Sequence, residues 1–251
     1  MNSASPPRIA VVIASYNERE NLRELIPAIM ALPPQPRLVV VDDSSPDGTA
    51  QEVRLAAERF PQRIALIERP GKLGYGSAFV AGFRRALGDG AEMIVSMDAD
   101  WSHDPAAIPK LIERLAEADA VIGSRYIDGV RILNWSMRRL LLSWCANRYI
   151  NAILRFGLCD CTSGFRAYRA EALEAIDLDR AHSRGYAFLV ELLEMIRRQG
   201  FRIAEAPIVY AEREKGRSKM SRGVILEAIF RPWRLLAGRL VSRGAKRANE
   251  G

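Results

Sequence analysis

The first half of the chain alternates short, continuous apolar runs with longer segments whose apolar residues recur every three or four positions. The apolar runs predict buried strands, and the helical period predicts helices that cover them. The predicted strands are residues 9–14, 38–41, 64–67, 94–97 and 120–123, and the helices between them are residues 18–32, 50–60, 77–87 and 105–116. This alternation predicts an α/β fold with a doubly wound, mostly parallel sheet.

Beyond Arg125 this regular alternation fades. The pattern there predicts helices over residues 136–156 and 187–199, a strand over residues 203–210, and a last amphipathic helix over residues 224–241. Pro207 marks the predicted strand as an edge strand, because proline cannot donate to a neighbouring strand. We see no internal repeat and no linker, so the sequence gives no boundary between independently folding units.

The composition is that of a globular protein, with 49% hydrophobic and 27% charged residues among 251. The net charge of +7 is concentrated after residue 196, where 14 Lys/Arg face 5 Asp/Glu. Such an excess predicts a polyanionic partner, although no nucleic-acid-binding motif accompanies it. The three cysteines indicate reduced thiols, and no apolar run is long enough to span a membrane.

Acidic residues follow two of the predicted strands. Asp42 and Asp43 end the second strand, and Asp98 and Asp100 follow the fourth, just before a helix that Asp104 would cap. Carboxyl ends of parallel strands meet at the ligand-binding edge of an open sheet, so we expect the two pairs to converge. Asp98 and Asp100 would suit a hard divalent cation that also binds phosphate. The alternative is two solvated loop acids, and His103 beside them is interpreted as a capping or packing residue.

The familiar nucleotide-binding loops are missing from the sequence. The first strand runs into Ser15-Tyr16-Asn17-Glu18, not into Gly-x-Gly-x-x-Gly, and there is no Walker A motif. A nicotinamide-dependent enzyme and an ATPase are therefore disfavoured. A nucleotide whose diphosphate is bridged by a metal fits the acidic pairs.

Seven segments, in order along nearly the whole chain, resemble the motifs of family 2 glycosyltransferases, and more narrowly those of dolichyl/polyprenyl-phosphate mannose synthases. They are residues 15–21 (SYNEREN), 41–49 (VDDSSPDGT), 72–76 (KLGYG), 97–103 (MDADWSH), 123–126 (GSRY), 162–166 (TSGFR) and 217–219 (RSK). The resemblance implies a glycosyltransferase-A type fold with C-terminal amphipathic helices. It also implies a catalytic domain over residues 8–222, with a nucleotide-sugar half (8–125) and an acceptor half (126–222), and a basic helix and tail over residues 223–251.

The resemblance implies site residues position by position. The nucleoside of GDP-mannose would be held by Ala14, Tyr16, Glu18, Val41 and Asp43. Mg²⁺ or Mn²⁺ would be bound by Asp98 and Asp100, with Ala99 packed beside the nucleotide. Phosphates would be contacted by Arg125, Arg213 and Lys219, and the acceptor phosphate by Arg125, Arg139 and Ser143. Asp98, Asp100 and Arg125 are the expected catalytic residues.

The implied reaction is transfer of mannose from GDP-mannose to a polyprenyl phosphate. A phosphate monoester is largely dianionic at neutral pH, so the acceptor is already a nucleophile and no general base is expected. Direct attack would invert the anomeric centre. The alternatives left open are a UDP-glucose or other donor, with undecaprenyl phosphate or a saccharide as acceptor, and a nucleotide-sugar-binding module without turnover.

The acceptor also implies a location. Its hydrocarbon tail stays in the bilayer, so we expect a cytoplasmic protein, peripheral on the cytoplasmic face of a membrane. The helix over residues 224–241, with Trp233 and three arginines, would lie in the interface or pack on its own domain. A separate membrane subunit is the other possibility. No nucleic acid is expected as a partner.

Overall fold

A computed structural model describes residues 8–181, 183, 185–212, 227 and 229–239. Its strands are β1 (Ile9–Ser15), β2 (Arg37–Asp42), β3 (Ile64–Glu68), β4 (Met93–Asp98), β5 (Ala120–Ser124), β6 (Ile132–Leu133), β7 (Arg166–Arg169), β8 (Ile203–Pro207) and β9 (Tyr210–Ala211). Its helices are α1 (Arg19–Met30), α2 (Thr49–Arg59), α3 (Tyr75–Gly88), α4 (Ile108–Arg114), α5 (Met137–Leu154), α6 (Ala170–Glu174) and α7 (Tyr186–Arg198). Residues 229–239 are also helical and are called the C-terminal helix below.

Seven strands form one mostly parallel sheet in the order β3-β2-β1-β4-β7-β5-β8. The predicted α/β class and the predicted edge position of the strand with Pro207 are confirmed. The predicted strand over residues 203–210 is divided, since β8 ends at Pro207 and β9 pairs with β6 in a separate two-stranded sheet. The predicted helix after Asp104 begins as a 3₁₀ turn, capped by the Asp104 carboxylate, which accepts the Ala106 N–H over 2.9 Å.

Strand β7 is the part of the sheet that the sequence pattern did not predict. It pairs antiparallel with β4 on one side and with β5 on the other. Strands β4 and β5, which are consecutive in the sequence, are therefore separated by a strand from the second half of the chain. Its Arg166 is fully buried. The buried guanidinium is satisfied by hydrogen bonds that it donates to the backbone carbonyls of Ser163, Leu189 and Cys161 over 2.7–2.8 Å. A strand with two arginines in four residues carries no apolar run.

Helices cover both faces of the sheet, as a doubly wound fold requires. Along β1, Val11 and Ile13 belong to one buried cluster, with α1, α2 and α4. Ala10 and Val12 belong to the opposite cluster, with α3, α6 and α7. Gly82 lets α3 approach β1 directly, since a Cβ at this position would collide with Val12 Cγ1. This packing fixes the carboxyl edge of β1 relative to the loop that precedes α3.

The C-terminal helix packs against α7 through buried carboxylates. Arg231 pairs with Glu191, and Arg239 donates to both carboxylate oxygens of Glu194 over 2.8 and 2.9 Å. Two of the three arginines of this helix therefore point toward the protein, which agrees with the alternative that the helix packs on its own domain. Among the described residues, no helix is long and apolar enough to cross a membrane.

Candidate active site

The carboxyl ends of three neighbouring strands bring the predicted nucleotide and metal residues together. In the register of the sheet, Ala14 of β1 lies opposite Val41 of β2 on one side and opposite Asp98 of β4 on the other. The two acidic pairs therefore share one edge, as the sequence predicted. Ala99, which follows Asp98, is 3% exposed.

Asp42 and Asp43 differ in what they bind. Asp42 is buried and accepts hydrogen bonds from Ser15 and Ser45, so it holds the ends of β1 and β2 together. Asp43 forms a buried ion pair with Arg69 at 2.5 Å, and the same guanidinium donates to Gly74 O over 3.1 Å. Arg69 thereby connects the predicted nucleoside-binding carboxylate to the loop before α3. Sequence reasoning missed Arg69, although its position directly after β3 places it at this edge.

The loop after β1 also faces the loop before α3. The Lys72 ammonium lies 4.3 Å from the centre of the Tyr16 ring, a cation–π contact between two of the recognised motifs. Glu18 is 9% exposed, and its carboxylate accepts a 2.6 Å hydrogen bond from Asn21. Tyr16, Glu18 and Asp43 thus line one side of the edge at which Asp98 lies.

Asp98 is held by the first residue of α3, and a loop before β7 lies close beside it. Its Oδ1 accepts a 3.1 Å hydrogen bond from the Tyr75 hydroxyl. A Cβ at Gly164 would lie 2.5 Å from that hydroxyl and 3.6 Å from Asp98 Oδ1, so the close approach of the loop requires glycine. Burial and the charge of Asp98 raise the pKa of Tyr75 well above its usual value, so Tyr75 remains a donor. The Asp98 side chain keeps 32% of its surface exposed.

Asp100 is oriented by the turn that follows it. Its Oδ1 accepts hydrogen bonds from the Ser102 hydroxyl over 2.5 Å and from the Ser102 N–H over 3.2 Å. Burial, together with the charges of Asp98 and Asp100, raises the pKa of Tyr210 to about 12. The Tyr210 ring packs edge-on against His103, with 5.6 Å between ring centres. The two carboxylates supply hard oxygen donors that fit Mg²⁺ or Mn²⁺. Within the described part of the chain, no cluster of three or more His, Cys, Asp or Glu forms a metal cage. A cation here would therefore also draw ligands from water and diphosphate.

His103 is a packing residue beside this pair, as interpreted from the sequence. Its ring is 1% exposed and stacks on Phe165 with 4.9 Å between ring centres. Nδ1 accepts the backbone N–H of Asp98 over 3.1 Å, so the ring proton lies on Nε2. Burial lowers the pKa of His103 to about 4, with a further contribution from Arg125, and the imidazole is neutral. The hydrogen bond to Nδ1 fixes the backbone at Asp98, the last residue of β4.

Arg125 lies deeper than its predicted contact with phosphates suggests. It is 5% exposed, and its Nε and Nη2 donate to the Asp160 carboxylate over 2.6 and 2.8 Å. Burial lowers the pKa of Arg125, but the charge of Asp160 and its hydrogen bonds with the guanidinium, taken together with nearby tyrosines, raise the pKa above its ordinary value. The structure gives this side chain a positioning role, and its direct contact with phosphate stays a prediction.

Asp160 connects Arg125 to the loop over residues 162–164, called the glycine loop below, which lies beside Asp98. Its Oδ1 accepts the N–H groups of Thr162 and Ser163 over 3.1 and 3.2 Å. Glu205 of β8 in turn accepts the N–H of Asp160 over 2.9 Å. Burial would raise the pKa of Asp160, but the Arg125 charge and hydrogen bonds lower it. Sequence reasoning missed both residues, because Asp160 lies in a loop without a strand pattern and Glu205 lies within a predicted strand and not at its carboxyl end.

The predicted acceptor residues lie on α5 near the same carboxylates. Arg139 pairs with Glu212, and its guanidinium lies 4.2 Å from the centre of the Trp135 ring. Trp135 packs edge-on against Tyr210, which in turn packs on His103, the ring that accepts the Asp98 N–H. On the next turn of α5, the Ser143 hydroxyl accepts a 2.7 Å hydrogen bond from Tyr126. Arg213 and Lys219 lie outside the described residues.

Comparison with known proteins agrees with the motifs. The Glycosyl transferase family 2 model matches residues 10–177. The chain is 42% identical over 222 residues to an undecaprenyl-phosphate mannosyltransferase of Micrococcus luteus, covering 88% of this chain and 91% of that protein. It is 45% identical over 225 residues to a polyprenol monophosphomannose synthase of Mycolicibacterium smegmatis, covering 89% and 85%.

A solved structure supports the fold. Glucosyl-3-phosphoglycerate synthase from Mycobacterium tuberculosis, in complex with Mn²⁺, uridine diphosphate and phosphoglyceric acid, superposes with a TM-score of 0.65. The alignment covers 90% of this chain and 78% of that one at 22% identity. The likeness establishes the shared fold.

Proposed function

The chain belongs to glycosyl transferase family 2, and from this premise we propose that it transfers mannose from GDP-mannose to a polyprenyl phosphate. The observation that carries the proposal is the near full-length identity, 42% and 45%, to two proteins named for mannosyl transfer to polyprenol-type phosphates. Two features of the site support it: the carboxylates proposed for a metal and the residues proposed for the nucleoside follow neighbouring strands at one sheet edge, and Arg139, proposed for the acceptor, contacts Trp135, which packs on Tyr210.

The donor would bind across the ends of β1, β2 and β4. We assign the nucleoside to Ala14, Tyr16, Glu18, Val41 and Asp43, which line one side of the edge. Asp98 and Asp100 would hold Mg²⁺ or Mn²⁺ at the diphosphate, next to Ala99. When bound there, the cation neutralises the charge that develops on the leaving diphosphate. Arg213 and Lys219 are proposed to add positive charge to the same group.

The acceptor phosphate would approach from the α5 side, where Arg139 and Ser143 lie. Arg139 pairs with Glu212, and the acceptor phosphate would replace this carboxylate as the anion bound to the guanidinium. Arg125 is proposed to act on the same side mainly by holding the Thr162–Gly164 loop through Asp160. These residues would define the acceptor half over residues 126–222, and the basic segment from 223 to 251 would follow it.

The reaction we propose is a single displacement. An oxygen of the acceptor phosphate attacks the anomeric carbon and forms the new bond. The bond from that carbon to the β-phosphate oxygen of the donor breaks, and its electron pair leaves with GDP. The acceptor needs no general base because it is dianionic. The product is mannose linked to the polyprenyl phosphate with inverted configuration, made at the cytoplasmic face of a membrane.

The test is transfer of labelled mannose from GDP-mannose into a short polyprenyl phosphate, with Mg²⁺ or Mn²⁺ and then with EDTA. We expect label in the lipid phase only with the metal. An Asp100→Asn variant should lose at least a hundredfold in kcat, because it removes a charged metal ligand. Label from UDP-glucose but not from GDP-mannose would overturn the donor, and binding of GDP-mannose without turnover would overturn the enzyme assignment.

A further inference from the structure

The indole nitrogen of Trp135 is a buried hydrogen-bond donor that the fold leaves unused. Trp135 directly precedes Ser136, the N-cap residue of α5. Within the described part of the chain, no acceptor reaches its buried Nε1. A buried donor without a partner is rare in folded proteins and requires an explanation. Because an indole N–H can only donate, the group that completes this site has to be an acceptor.

Three neighbouring side chains hold the indole ring in place. The Arg139 guanidinium lies 4.2 Å from the centre of the ring, and the Arg125 guanidinium lies 5.5 Å from it. Tyr210 packs edge-on, with 5.4 Å between ring centres. A ring held by two cations and a phenol has little freedom to turn its N–H toward another partner, and the two cations favour a negatively charged acceptor.

The cation that a ligand can use at this indole is Arg139. Arg125 is buried and donates twice to the Asp160 carboxylate. In contrast, the side chains of Arg139 and its partner Glu212 are 38% and 36% exposed, and an exposed ion pair of this kind is weak. The first turn of α5 also contains Arg138 and no Asp or Glu, and a helix N-terminus favours negative charge. An anion can therefore take the place of Glu212.

We propose that the Trp135 N–H donates a hydrogen bond to an oxygen of the acceptor phosphate, beside Arg139, when this phosphate replaces Glu212. The proposal rests on the proposed function for the identity of the anion. Tyr210 packs on both Trp135 and His103, and His103 accepts the Asp98 N–H, so the indole is two ring contacts from the end of β4. Two fixed donors would hold the phosphate in one orientation, which a single, partly exposed arginine does not achieve.

The first test observes the indole proton by nuclear magnetic resonance. The full-length protein is labelled with ¹⁵N-tryptophan, which gives four indole signals. Trp101→Phe, Trp144→Phe and Trp233→Phe assign three of them, so the Trp135 signal is identified by elimination. Titration with geranyl phosphate should move the Trp135 proton downfield, and geraniol should not. Trp233 already donates to the Tyr149 hydroxyl over 2.9 Å, so its signal is the internal control.

Two results of this titration would overturn the inference. One is a Trp135 signal that does not move with geranyl phosphate. The other is a signal that moves with GDP and Mg²⁺ but not with geranyl phosphate, which would assign the indole to the donor.

The second test is kinetic. Trp135→Phe keeps an aromatic ring beside Arg139 and removes only the N–H. The KM for geranyl phosphate should rise about tenfold, because a hydrogen bond to a charged group is lost, while kcat and the KM for GDP-mannose are kept. Trp233→Phe is the matched control and should leave all three constants unchanged. An unchanged KM for geranyl phosphate in Trp135→Phe would contradict the proposal.

The two tests separate this inference from the proposed function. A Trp135 signal that shifts with geranyl phosphate, in a protein that transfers no mannose, would leave the phosphate contact standing and remove the proposed reaction. Mannose transfer by the wild type, without the shift and with an unchanged KM in Trp135→Phe, would remove only the role of the indole.

Discussion

The Tyr75 hydroxyl donates a hydrogen bond to Asp98 Oδ1 over 3.1 Å, and Gly164 leaves the space in which the two groups meet. The first residue of α3 and the loop before β7 therefore converge on one carboxylate at the end of β4. Groups that hydrogen-bond to a metal-binding side chain, without contacting the metal themselves, influence the affinity for the metal. Tyr75 has this relationship to the proposed metal ligand Asp98.

We predict that Tyr75→Phe weakens metal binding while the fold is kept, because only the hydroxyl that orients Asp98 is removed. The dissociation constant for Mn²⁺ in the presence of GDP should rise about tenfold. Electron paramagnetic resonance of free Mn²⁺ measures this directly. Tyr149→Phe, which removes a hydroxyl on the outer side of α5, should leave the constant unchanged. Equal constants for wild type and Tyr75→Phe would contradict the positioning role.

Asp160→Ala should destabilise the protein strongly. The substitution leaves the buried Arg125 guanidinium without its carboxylate, a loss that typically costs about 3–5 kcal/mol of unfolding free energy. Chemical denaturation measures it. Glu117→Ala, which removes an exposed partner of Arg114, should cost less than about 1 kcal/mol. Similar losses for the two variants would show that the Arg125–Asp160 pair does not hold the glycine loop.

Stability should fall as the pH drops from 7 to 5, in part because of His103. Its folded pKa of about 4 lies below the ordinary value of 6.5, so the unfolded chain binds the proton first in this window. Stability therefore rises with pH, and this group contributes about 2 kcal/mol across the window. Denaturation in EDTA should show that His103→Gln has a flatter pH dependence than wild type. If the unfolding free energies of wild type and His103→Gln change with pH in the same way, the imidazole of His103 is not buried and neutral as described.

Arg139→Ala should act on the acceptor and not on the donor. Loss of a charge-assisted contact to phosphate should lower kcat/KM for a short polyprenyl phosphate about ten- to a hundredfold, with little change in the KM for GDP-mannose. Steady-state kinetics with each substrate varied in turn separates the two effects. Arg131→Ala, an exposed arginine outside α5, serves as the control. A larger change in the KM for GDP-mannose than in kcat/KM for the acceptor would show that Arg139 acts on the donor.

The sequence predicts the strands that are continuous apolar runs, and it predicts them well. The predicted β1, β2, β3, β4 and β5 agree with the structure to within a few residues. It misses β7, because the burial of Arg166 depends on three carbonyls that only the folded chain brings together. It also misses β6 and β9, which are two residues each and too short to show a period.

In the site, groups attached to strand ends were predictable and groups that act through loops were not. Asp43 and Asp98 follow buried strands, so the sheet alone brings their carboxylates to one edge. Asp160 reaches Arg125 across 35 residues, a contact that no local pattern encodes. The depth of Arg125 follows from that contact, and sequence position alone suggested a more accessible side chain.

The position of β7 between β4 and β5 has a consequence for synthesis on the ribosome. When residues 8–125 have emerged, β4 has β1 on one side and an unpaired edge on the other, because its second partner is still to be translated. Strand β5 is not a native neighbour of β4 and has two open edges itself at this stage, since both of its neighbours, β7 and β8, also come later. An open strand edge invites pairing with other chains. The nascent amino-terminal half is therefore the stage at which a chaperone would matter most, and a truncation at residue 125 should aggregate instead of yielding a nucleotide-binding fragment.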